Sequence, residues 1–407
     1  MAYLIYLLIF ASYFSSIILL YAPGSISYTQ LSLVLAILST LCILFKIISK
    51  RFNIKLFARS VFVSISLVGC YALTSILFNR SDEWYNSFFL VLLGQTVPLI
   101  LVSSLISSDE GSISLLKKIS PFFAILFTIV SVFVSISHSG DYGLAGNADA
   151  NIDYQKTSYL AAYAASLCMY FILNFNNFAW FPFVRKKIVK LVFCVLLFVN
   201  FLTTLMSGGR GGVMTFVALI ILFIYLKGKK SSSVKKIIFY TFFIVFGIVL
   251  IFQYLETNSS NYGGGLARLL LFVQEGDSSG RDKLLVSALK WISDSPIIGH
   301  GLGSVFFTLG IFSHNIFLDI LIETGLLGLI VFLTFIFKTL KKGISLLKIN
   351  FSESIWLFLF VDGFVMDLFS DYYIGGFPWI SAFVIMNSRY LLHKSLLYTT
   401  KSKYVEN

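Results

Sequence analysis

The chain has 407 residues, of which 57% are hydrophobic and 12% are charged, and its mean hydropathy is +0.88. Roughly a quarter of the residues of a soluble domain are charged, so this composition excludes an ordinary soluble protein. The net charge of +12 follows from the membrane topology argued below, and no nucleic acid is needed to explain it.

Apolar residues occur in long blocks, and a block of about 18 or more predicts a helix that crosses the bilayer. The alternating pattern of a membrane barrel is absent, so we expect an all-α integral membrane fold in a single domain over residues 1–407. The sequence predicts about twelve transmembrane helices. They are 3–21, 30–49, 60–78, 87–107, 119–137, 158–174, 188–206, 212–226, 237–254, 316–337, 354–370 and 374–392.

The basic residues predict how these helices are oriented. With the N-terminus inside, 24 of the 31 lysines and arginines fall on inner segments. By the positive-inside rule, both termini are then cytoplasmic, as expected of a multi-pass inner-membrane protein. The same charge attracts anionic lipids of the inner leaflet. The outer basic residues are Arg80, Lys156, Arg210, Arg268, Arg281, Lys283 and Lys290.

The cysteines and the cytoplasmic loops argue against two features, which are disulfide bonds and an ATP-hydrolysing site. Cys42, Cys70, Cys168 and Cys194 all lie inside apolar blocks, so we expect small core residues and no disulfides. The cytoplasmic loops are short and basic. No Gly-x-x-x-x-Gly-Lys-[Ser/Thr] motif occurs, so nothing in the sequence indicates ATP hydrolysis.

Arg210 lies in the turn Ser-Gly-Gly-Arg-Gly-Gly at residues 207–212, on the outer side between two apolar blocks. A guanidinium group binds phosphate oxygens through two parallel hydrogen bonds, and flanking glycines let a phosphate approach the backbone amides. The residues alone leave an alternative open, in which the turn is a tight hairpin and its arginine reaches lipid headgroups.

The largest outer loop, at residues 255–315, contains the densest polar chemistry. From Arg281 to Ile292 the apolar residues follow a helical spacing, which predicts an amphipathic helix on the membrane surface with Trp291 near the headgroups. Pro296 and the glycines that follow it are expected to stop this helix. A shorter outer segment, at 138–157, is acidic.

Arg281 opens the amphipathic helix, where free backbone amides and the helix dipole favour an anion. The alternative is a solvated charge that pairs with Asp282 or Glu275. Arg268 is a weaker candidate for substrate binding, since it could equally anchor the chain at the interface.

His314, in Ser-His-Asn at the start of the tenth predicted span, is a candidate base because an imidazole accepts a proton near neutral pH. The alternative is a hydrogen-bonded interface residue. Asp319 and Glu323 follow on one helical face, and carboxylates within a span are usually functional or paired. His138, His300 and His393 show no ligand spacing, so we predict no metal.

Two cationic groups and a base on the outer side suggest a substrate with a diphosphate and a reacting hydroxyl. Neither ATP nor nucleotide sugars are supplied there. A lipid diphosphate that has been carried across the membrane would fit, with its tail between helices and its phosphates at the arginines.

Several motifs follow one another along the chain. They are the 207–212 turn, Gly280-Arg281-Asp282, Trp291, Ser295-Pro296-Ile297-Ile298-Gly299-His300-Gly301-Leu302-Gly303, Ser313-His314-Asn315 and Glu323-Thr324-Gly325-Leu326-Leu327-Gly328. In their order and placement these motifs, which cover about a quarter of the chain, resemble the O-antigen polymerase and ligase superfamily.

The resemblance implies a metal-independent glycosyltransferase without a cofactor, which acts on undecaprenyl-diphosphate-linked oligosaccharides at the periplasmic face. It implies phosphate-binding roles for Arg210 and Arg281, and a catalytic or acceptor-positioning role for His314. We add Arg268, Asn315 and Glu323 as substrate-binding candidates. A chain-length regulator and a flippase are the protein partners that such an enzyme suggests, besides the membrane lipids.

Three functions remain open on the sequence. The leading one is a polymerase that joins repeat units, because Ser-His-Asn before a long apolar run is more typical of a polymerase. The second is an O-antigen ligase with lipid A core as the acceptor. The third is a carrier that flips lipid-linked glycans, which should place polar groups at the membrane midplane in broken helices or matching repeats.

Overall fold

A computed structural model describes residues 28–49, 52–78, 83–137, 154–177, 186–207, 209–230, 281–310, 312–369, 372–375 and 377–405. Within these residues the protein is helical and contains no strand, which confirms the all-α prediction for this part of the chain. The predicted spans 3–21 and 237–254 lie outside the described residues, as does Arg268.

The chain divides into two compact units. Unit 1 comprises Met1–Lys117 and Gly280–Asn407, and unit 2 comprises Lys118–Ser279. The helices of unit 1 before the division are α1 (Tyr28–Ile48), α2 (Ile54–Phe78), α3 (Glu83–Val91) and α4 (Val97–Ser107), with a π-helical turn at Leu92–Thr96. Helix α5 (Glu110–Ser137) then leads from unit 1 into unit 2, which continues with α6 (Tyr154–Asn174), α7 (Lys186–Met206) and α8 (Arg210–Lys230).

Unit 1 resumes with α9 (Arg281–Asp294), α10 (Val305–Leu309), α11 (Ile316–Ile349), α12 (Ser354–Asp367) and α13 (Phe377–Val405). Short 3₁₀ turns at Phe351–Glu353 and Tyr373–Gly375 precede α12 and α13. Helix α13 packs against α4, α11 and α12.

Seven helices of the described part are long and apolar enough to cross a membrane, as in a multi-pass membrane protein. They correspond to seven of the twelve predicted spans: Ile54–Leu77, Phe88–Ser107, Glu110–Ile136, Gln155–Asn177, Lys186–Met206, Gly211–Lys229 and Ile316–Ile349. The predicted spans at 30–49, 354–370 and 374–392 are helical but do not meet that measure. For α12 the reason is length, since 14 residues rise only roughly 21 Å against a hydrocarbon core of about 30 Å.

Helix α6 forms the centre of unit 2 and packs against α7 and α8. The described part of α6 is almost entirely buried, and it is rich in alanine at residues 161–165. Small side chains let neighbouring helices approach closely, which is how helices associate in a membrane without a hydrophobic driving force.

The cysteines only partly follow the prediction of core positions. Cys168 on α6 is buried and Cys42 is half-buried, whereas Cys70 and Cys194 are exposed. The prediction is therefore wrong for the last two. An apolar block indicates a helix but not which of its faces meets the rest of the protein.

An ion-pair cluster, defined here as Lys117, Glu353, Arg389 and Glu110, lies at the end of α11 that carries Ile349. Arg389 donates to both carboxylate oxygens of Glu353, at 2.8 and 2.7 Å, and to Glu110 at 2.9 Å. Lys117 donates to Glu353 at 2.6 Å. These bonds join the starts of α5 and α12 to α13, so the cluster stabilises the helix bundle of unit 1.

Candidate functional site

Helix α11 is broken at Gly325, two residues after the buried Glu323. Gly325 has φ 62° and ψ −166°, which is far from helical and is a backbone region that essentially only glycine adopts. A break in a helix leaves backbone N–H and C=O groups without their intrahelical partners, and such groups must be satisfied when they are away from water.

The segment at residues 296–301 fills this break. The backbone N–H groups of His300 and Gly301 donate to the carbonyls of Ile322 and Glu323, both at 2.8 Å. In return, the N–H groups of Leu326 and Leu327 donate to the carbonyls of Pro296 and Ile297, at 2.9 and 3.2 Å. In an unbroken helix, those four groups of α11 would have bonded to each other. Two helical hydrogen bonds are thus replaced by four bonds to the inserted segment.

Two glycines make this close approach feasible. A Cβ on Gly299 would lie 2.4 Å from the carbonyl carbon of Glu323, and a Cβ on Gly325 would lie 2.3 Å from that of Ile297. Both obstacles are backbone atoms, which cannot move aside as a flexible side chain can. The glycines of the two motifs therefore pack against each other's backbone.

The predicted amphipathic helix is present as α9, and it ends at Asp294, just before Pro296 as expected. Ala288 is buried and Trp291 is half-buried, while Leu285 and Leu289 are exposed. His300 donates through Nε2 to the carbonyl of Trp291 at 2.8 Å. This bond caps the last turn of α9 and joins the helix to the inserted segment.

A carboxylate–tyrosine cluster, defined as Glu323, Tyr372 and Tyr373, lies beside the break. The Glu323 carboxylate is completely buried and accepts hydrogen bonds from the Tyr372 hydroxyl at 2.6 Å and from the Tyr373 hydroxyl. The backbone N–H of Gly303 also bonds to it. Each carboxylate oxygen thus has a neutral donor, and none of these three partners is a cation.

Burial, followed by the negative charge of Glu323, raises the pKa of Tyr372 and of Tyr373 above the ordinary value of a phenol. Both hydroxyls therefore stay protonated at neutral pH and remain donors. Burial likewise raises the pKa of Tyr85 to about 12. Gly303 lies against the rings of Tyr71 and Tyr85, where a Cβ would come within 2.7 and 2.8 Å of ring carbons.

His314 precedes α11 in a left-handed backbone conformation, with φ 58°. Histidine is among the non-glycine residues that adopt this region more readily, and such conformations cluster at functional sites. Its ring packs edge-on against Phe312 at 4.5 Å between centroids. The neighbouring N–H of Ser313 donates to the buried carboxylate of Asp319 at 2.8 Å, so Asp319 secures the turn that carries His314.

Asn315 is the N-cap of α11. Its amide oxygen accepts from the N–H groups of Phe317 and Leu318, at 3.0 and 3.4 Å. This bond satisfies free amides of the first turn and explains an asparagine at this position. A substrate-binding role for Asn315 stays a prediction.

Arg210 is the first residue of α8 in unit 2, and only its backbone is described. The glycines beside it pack against Ser158 of α6. The Ser158 hydroxyl donates to the Gly209 carbonyl at 3.0 Å, and a Cβ on Gly212 would lie 1.8 Å from the Ser158 oxygen. These glycines let α6 and α8 pack closely. The sequence had suggested a different role for them, which was to let a phosphate approach the backbone amides.

Arg281 is likewise the first residue of a helix, α9, and again only its backbone is described. In unit 1, the structure brings Asp319 and the turn of His314 together, and it places Glu323 one helical turn after Asp319. Among the described residues, no group of three His, Cys, Asp or Glu side chains is arranged to hold a metal ion.

Tyr372 and Tyr373 are absent from the sequence interpretation. They lie between two predicted spans, in Asp-Tyr-Tyr-Ile-Gly-Gly at residues 371–376. Paired tyrosines before glycines, in a short polar gap between apolar blocks, are the signal that was available. Nothing in the spacing connects them to Glu323, which is 49 and 50 residues earlier.

A family model described as O-antigen ligase matches residues 193–333. This match supports the O-antigen ligase and polymerase superfamily, as the motifs indicated, and does not separate polymerases from ligases. The matched region contains Arg210, Arg281, His314 and Glu323. No curated protein and no solved structure matches the chain.

Proposed function

We propose that this protein is a polymerase that joins undecaprenyl-diphosphate-linked oligosaccharide repeat units of an O-antigen or similar surface polysaccharide at the periplasmic face. The family match over residues 193–333, which spans all the predicted catalytic residues, supports glycosyl transfer of this type. The choice of a polymerase over a ligase rests on Ser-His-Asn at residues 313–315 before a long apolar run. In the reaction, a hydroxyl of the acceptor sugar attacks the anomeric carbon of the growing chain, and undecaprenyl diphosphate leaves.

Arg210 and Arg281 bind phosphate oxygens of the donor in this proposal. Both open helices, where free N–H groups and the helix dipole add to the attraction for an anion. Negative charge increases on the diphosphate as it leaves, so these contacts strengthen in the transition state. His314 is the base for the acceptor hydroxyl or the group that orients it. Its unusual backbone conformation supports a functional role.

An O-antigen ligase is the second candidate, because that is the description of the matched family. A carrier is the third, because α11 is a broken helix with a buried carboxylate, as in many transporters. The filled break favours an enzyme over a carrier. Its backbone groups are hydrogen-bonded to residues 296–301, so the break is a rigid joint rather than a gate.

Reconstitution with a defined substrate tests the proposal. The purified protein, in lipid nanodiscs, is given lipid-linked repeat units from the producing bacterium, with and without lipid A core. A polymerase gives a ladder of chains that stay attached to the lipid. Transfer of the glycan to lipid A core would instead identify a ligase, and unchanged repeat units would contradict both enzymes.

Arginine-to-lysine variants test the phosphate contacts in the same assay. Arg210→Lys and Arg281→Lys keep the charge but lose the two-pronged hydrogen bonding. We expect each to lower the rate about 10- to 100-fold, the effect of losing one charge-assisted hydrogen bond. Arg59→Lys is the control, since Arg59 is exposed on α2. Equal activity of all three variants would contradict the phosphate role.

Cysteine labelling tests the proposed topology, with 255–315 periplasmic and both termini cytoplasmic. A cysteine-free background requires four substitutions, of which Cys168→Ala suits the buried position on α6. Single cysteines at Ser259 and Ser402 should then react with an impermeant reagent from opposite sides of the membrane. Reaction from one side would overturn the topology.

A further inference from the structure

The carboxylate–tyrosine cluster has two tyrosines that donate to the same carboxylate and differ in their exposure. Tyr372 and Tyr373 each donate to one oxygen of Glu323. Tyr372 is completely buried, with its ring packed against Phe88 and Phe306 at centroid distances of 5.4 and 4.8 Å. Tyr373 is partly exposed. Of the two tyrosines, Tyr373 is therefore the one that reaches the surface of unit 1.

The groups that surround Glu323 favour a role in proton transfer over a role in a structural ion pair. Its described partners are two hydroxyls and one backbone N–H, all neutral. Asp319, one turn earlier on the same helix, adds a second buried carboxylate rather than a cation. A buried carboxylate without a cation in a membrane protein is costly and usually functional, because it can accept a proton.

We propose that Tyr373 is a catalytic residue of the glycosyl transfer, and that Glu323 acts through it as the positioning residue and final proton acceptor. This inference rests on the proposed function. As the acceptor oxygen forms its bond to the anomeric carbon, its proton passes to the Tyr373 oxygen. The hydroxyl proton of Tyr373 passes to Glu323 at the same time. The bond from the anomeric carbon to the diphosphate oxygen breaks, and its electron pair leaves with undecaprenyl diphosphate.

The return path is the same chain of groups in reverse. After the product leaves, Glu323 gives its proton back to the Tyr373 oxygen, whose own proton goes to water. Tyr373 is neutral before and after the transfer, because its raised pKa keeps the hydroxyl protonated. His314 then orients the acceptor and is not the base. Tyr372 holds the other carboxylate oxygen and has no contact with substrate.

The two tyrosines provide a matched pair of variants. Tyr373→Phe and Tyr372→Phe each remove one hydroxyl donor from the same carboxylate and leave the ring in place. If the role of Glu323 were purely structural, the two changes would lower kcat to the same extent. The proposed relay predicts that only Tyr373→Phe interrupts the path to the substrate, whereas Tyr372→Phe leaves that path intact.

Steady-state kinetics on the protein in nanodiscs, with lipid-linked repeat units as substrate, test the relay. We expect Tyr373→Phe to lower kcat about 100-fold or more with KM unchanged, the usual effect of losing acid–base catalysis. Tyr372→Phe should keep most of its kcat. Glu323→Gln, which cannot accept the proton, should match Tyr373→Phe, and the double variant should lose no more than either.

The outcomes separate this inference from the proposed function. An inactive wild-type protein would overturn both. An active wild type with equal kcat for the two phenylalanine variants would overturn the relay and leave the polymerase standing. Melting temperatures are measured for all variants. If Glu323→Gln does not fold, Tyr373→Phe and Tyr372→Phe decide the question alone.

Discussion

Buried glutamates lie near the two ends of α11, in opposite electrostatic settings. Glu353, just beyond the Ile349 end, is surrounded by Arg389, Lys117 and the indole N–H of Trp356. Glu323, near the other end, is held by two phenols and a backbone N–H. From Leu326 to Ile349 the helix runs roughly 36 Å at about 1.5 Å per residue, so the two clusters lie about a bilayer apart.

This contrast separates a structural carboxylate from a candidate functional one. The cations beside Glu353 lower its pKa against the effect of burial, so it stays ionised and holds three segments together. Breaking such a buried ion pair costs much stability, but its ionised carboxylate has no proton to exchange at neutral pH. Glu323 has only neutral partners among the described residues, and one of them, Tyr373, is partly exposed. Burial alone does not distinguish the two residues, whereas the charge of their partners does.

The largest expected effect is on stability at the Glu353 end. Glu353→Gln leaves Arg389 and Lys117 buried without their main counter-ion. We expect the free energy of unfolding to fall by about 3–5 kcal/mol, the usual cost of breaking a buried ion pair from one side. Denaturant unfolding in detergent micelles measures this change.

Glu110→Gln is the matched control for that prediction. Glu110 also binds Arg389, but its side chain is 72% exposed. Its loss should therefore cost at most about 1 kcal/mol, as for a surface ion pair. If Glu353→Gln were as stable as Glu110→Gln, the distinction between the two ends would fail.

The second prediction concerns the joint beside Glu323. Gly325→Ala places a methyl group 2.3 Å from the Ile297 backbone, at a φ that disfavours any side chain. We expect a loss of about 2–4 kcal/mol from strain and overpacking, together with lower activity because Glu323 shifts. Gly310→Ala is the control, since Gly310 has φ +75° but nothing within 4 Å. Its cost should be only the backbone term of about 1–2 kcal/mol.

The sequence predicted well those features that depend on neighbouring residues. Seven spans and the helix α9 follow from local hydropathy and periodicity, and the structure has them. The glycines at residues 299 and 325 were recognisable as motif residues. Their role was not predictable, because it depends on two backbones that meet across the break.

Sequence patterns could not predict which residues form hydrogen bonds with the candidate residues. Tyr372 and Tyr373 bond to a glutamate about 50 residues earlier, and Glu353 bonds to Arg389, 36 residues later. Such pairs depend on how α11, α12 and α13 pack, and neither hydropathy nor helical spacing encodes that packing. For the same reason, the sequence did not show which buried carboxylate has a cation.

A third prediction separates two histidines of the Glu323 end. His314→Asn keeps a residue that tolerates φ 58° and removes the imidazole. If His314 orients the acceptor, loss of the imidazole should lower kcat/KM about tenfold, which corresponds to about 1.4 kcal/mol of transition-state stabilisation. The melting temperature should change little. His300→Asn is the control. It loses the bond to the Trp291 carbonyl, so it should lower stability by about 1 kcal/mol while the folded enzyme stays active. The reverse pattern would make His314 structural.

The smallest expected effect is a pH dependence at a second ion pair, which joins Asp109 to Lys46. Burial would raise the pKa of Asp109, but its hydrogen bonds to Lys46 and Ser112 and the charge of Lys46 outweigh that effect and lower the pKa to about 2, from an ordinary 3.8. A lowered pKa means that the ionised form stabilises the folded state. This stabilisation is complete above the unfolded value of 3.8 and is lost as the pH falls through about 2.

Asp109 is partly exposed, so solvent should limit the effect to about 1 kcal/mol or less. The measurement is the difference in unfolding free energy between the wild type and Asp109→Asn, from pH 7 down to pH 2. We expect a constant difference above about pH 5 that shrinks towards zero in acid. Glu323→Gln measured in parallel should show no such loss, because no cation among its described partners favours the ionised form. An acid-dependent loss of the same size there would mean that a cation compensates Glu323 after all, and that the two ends of α11 are electrostatically alike.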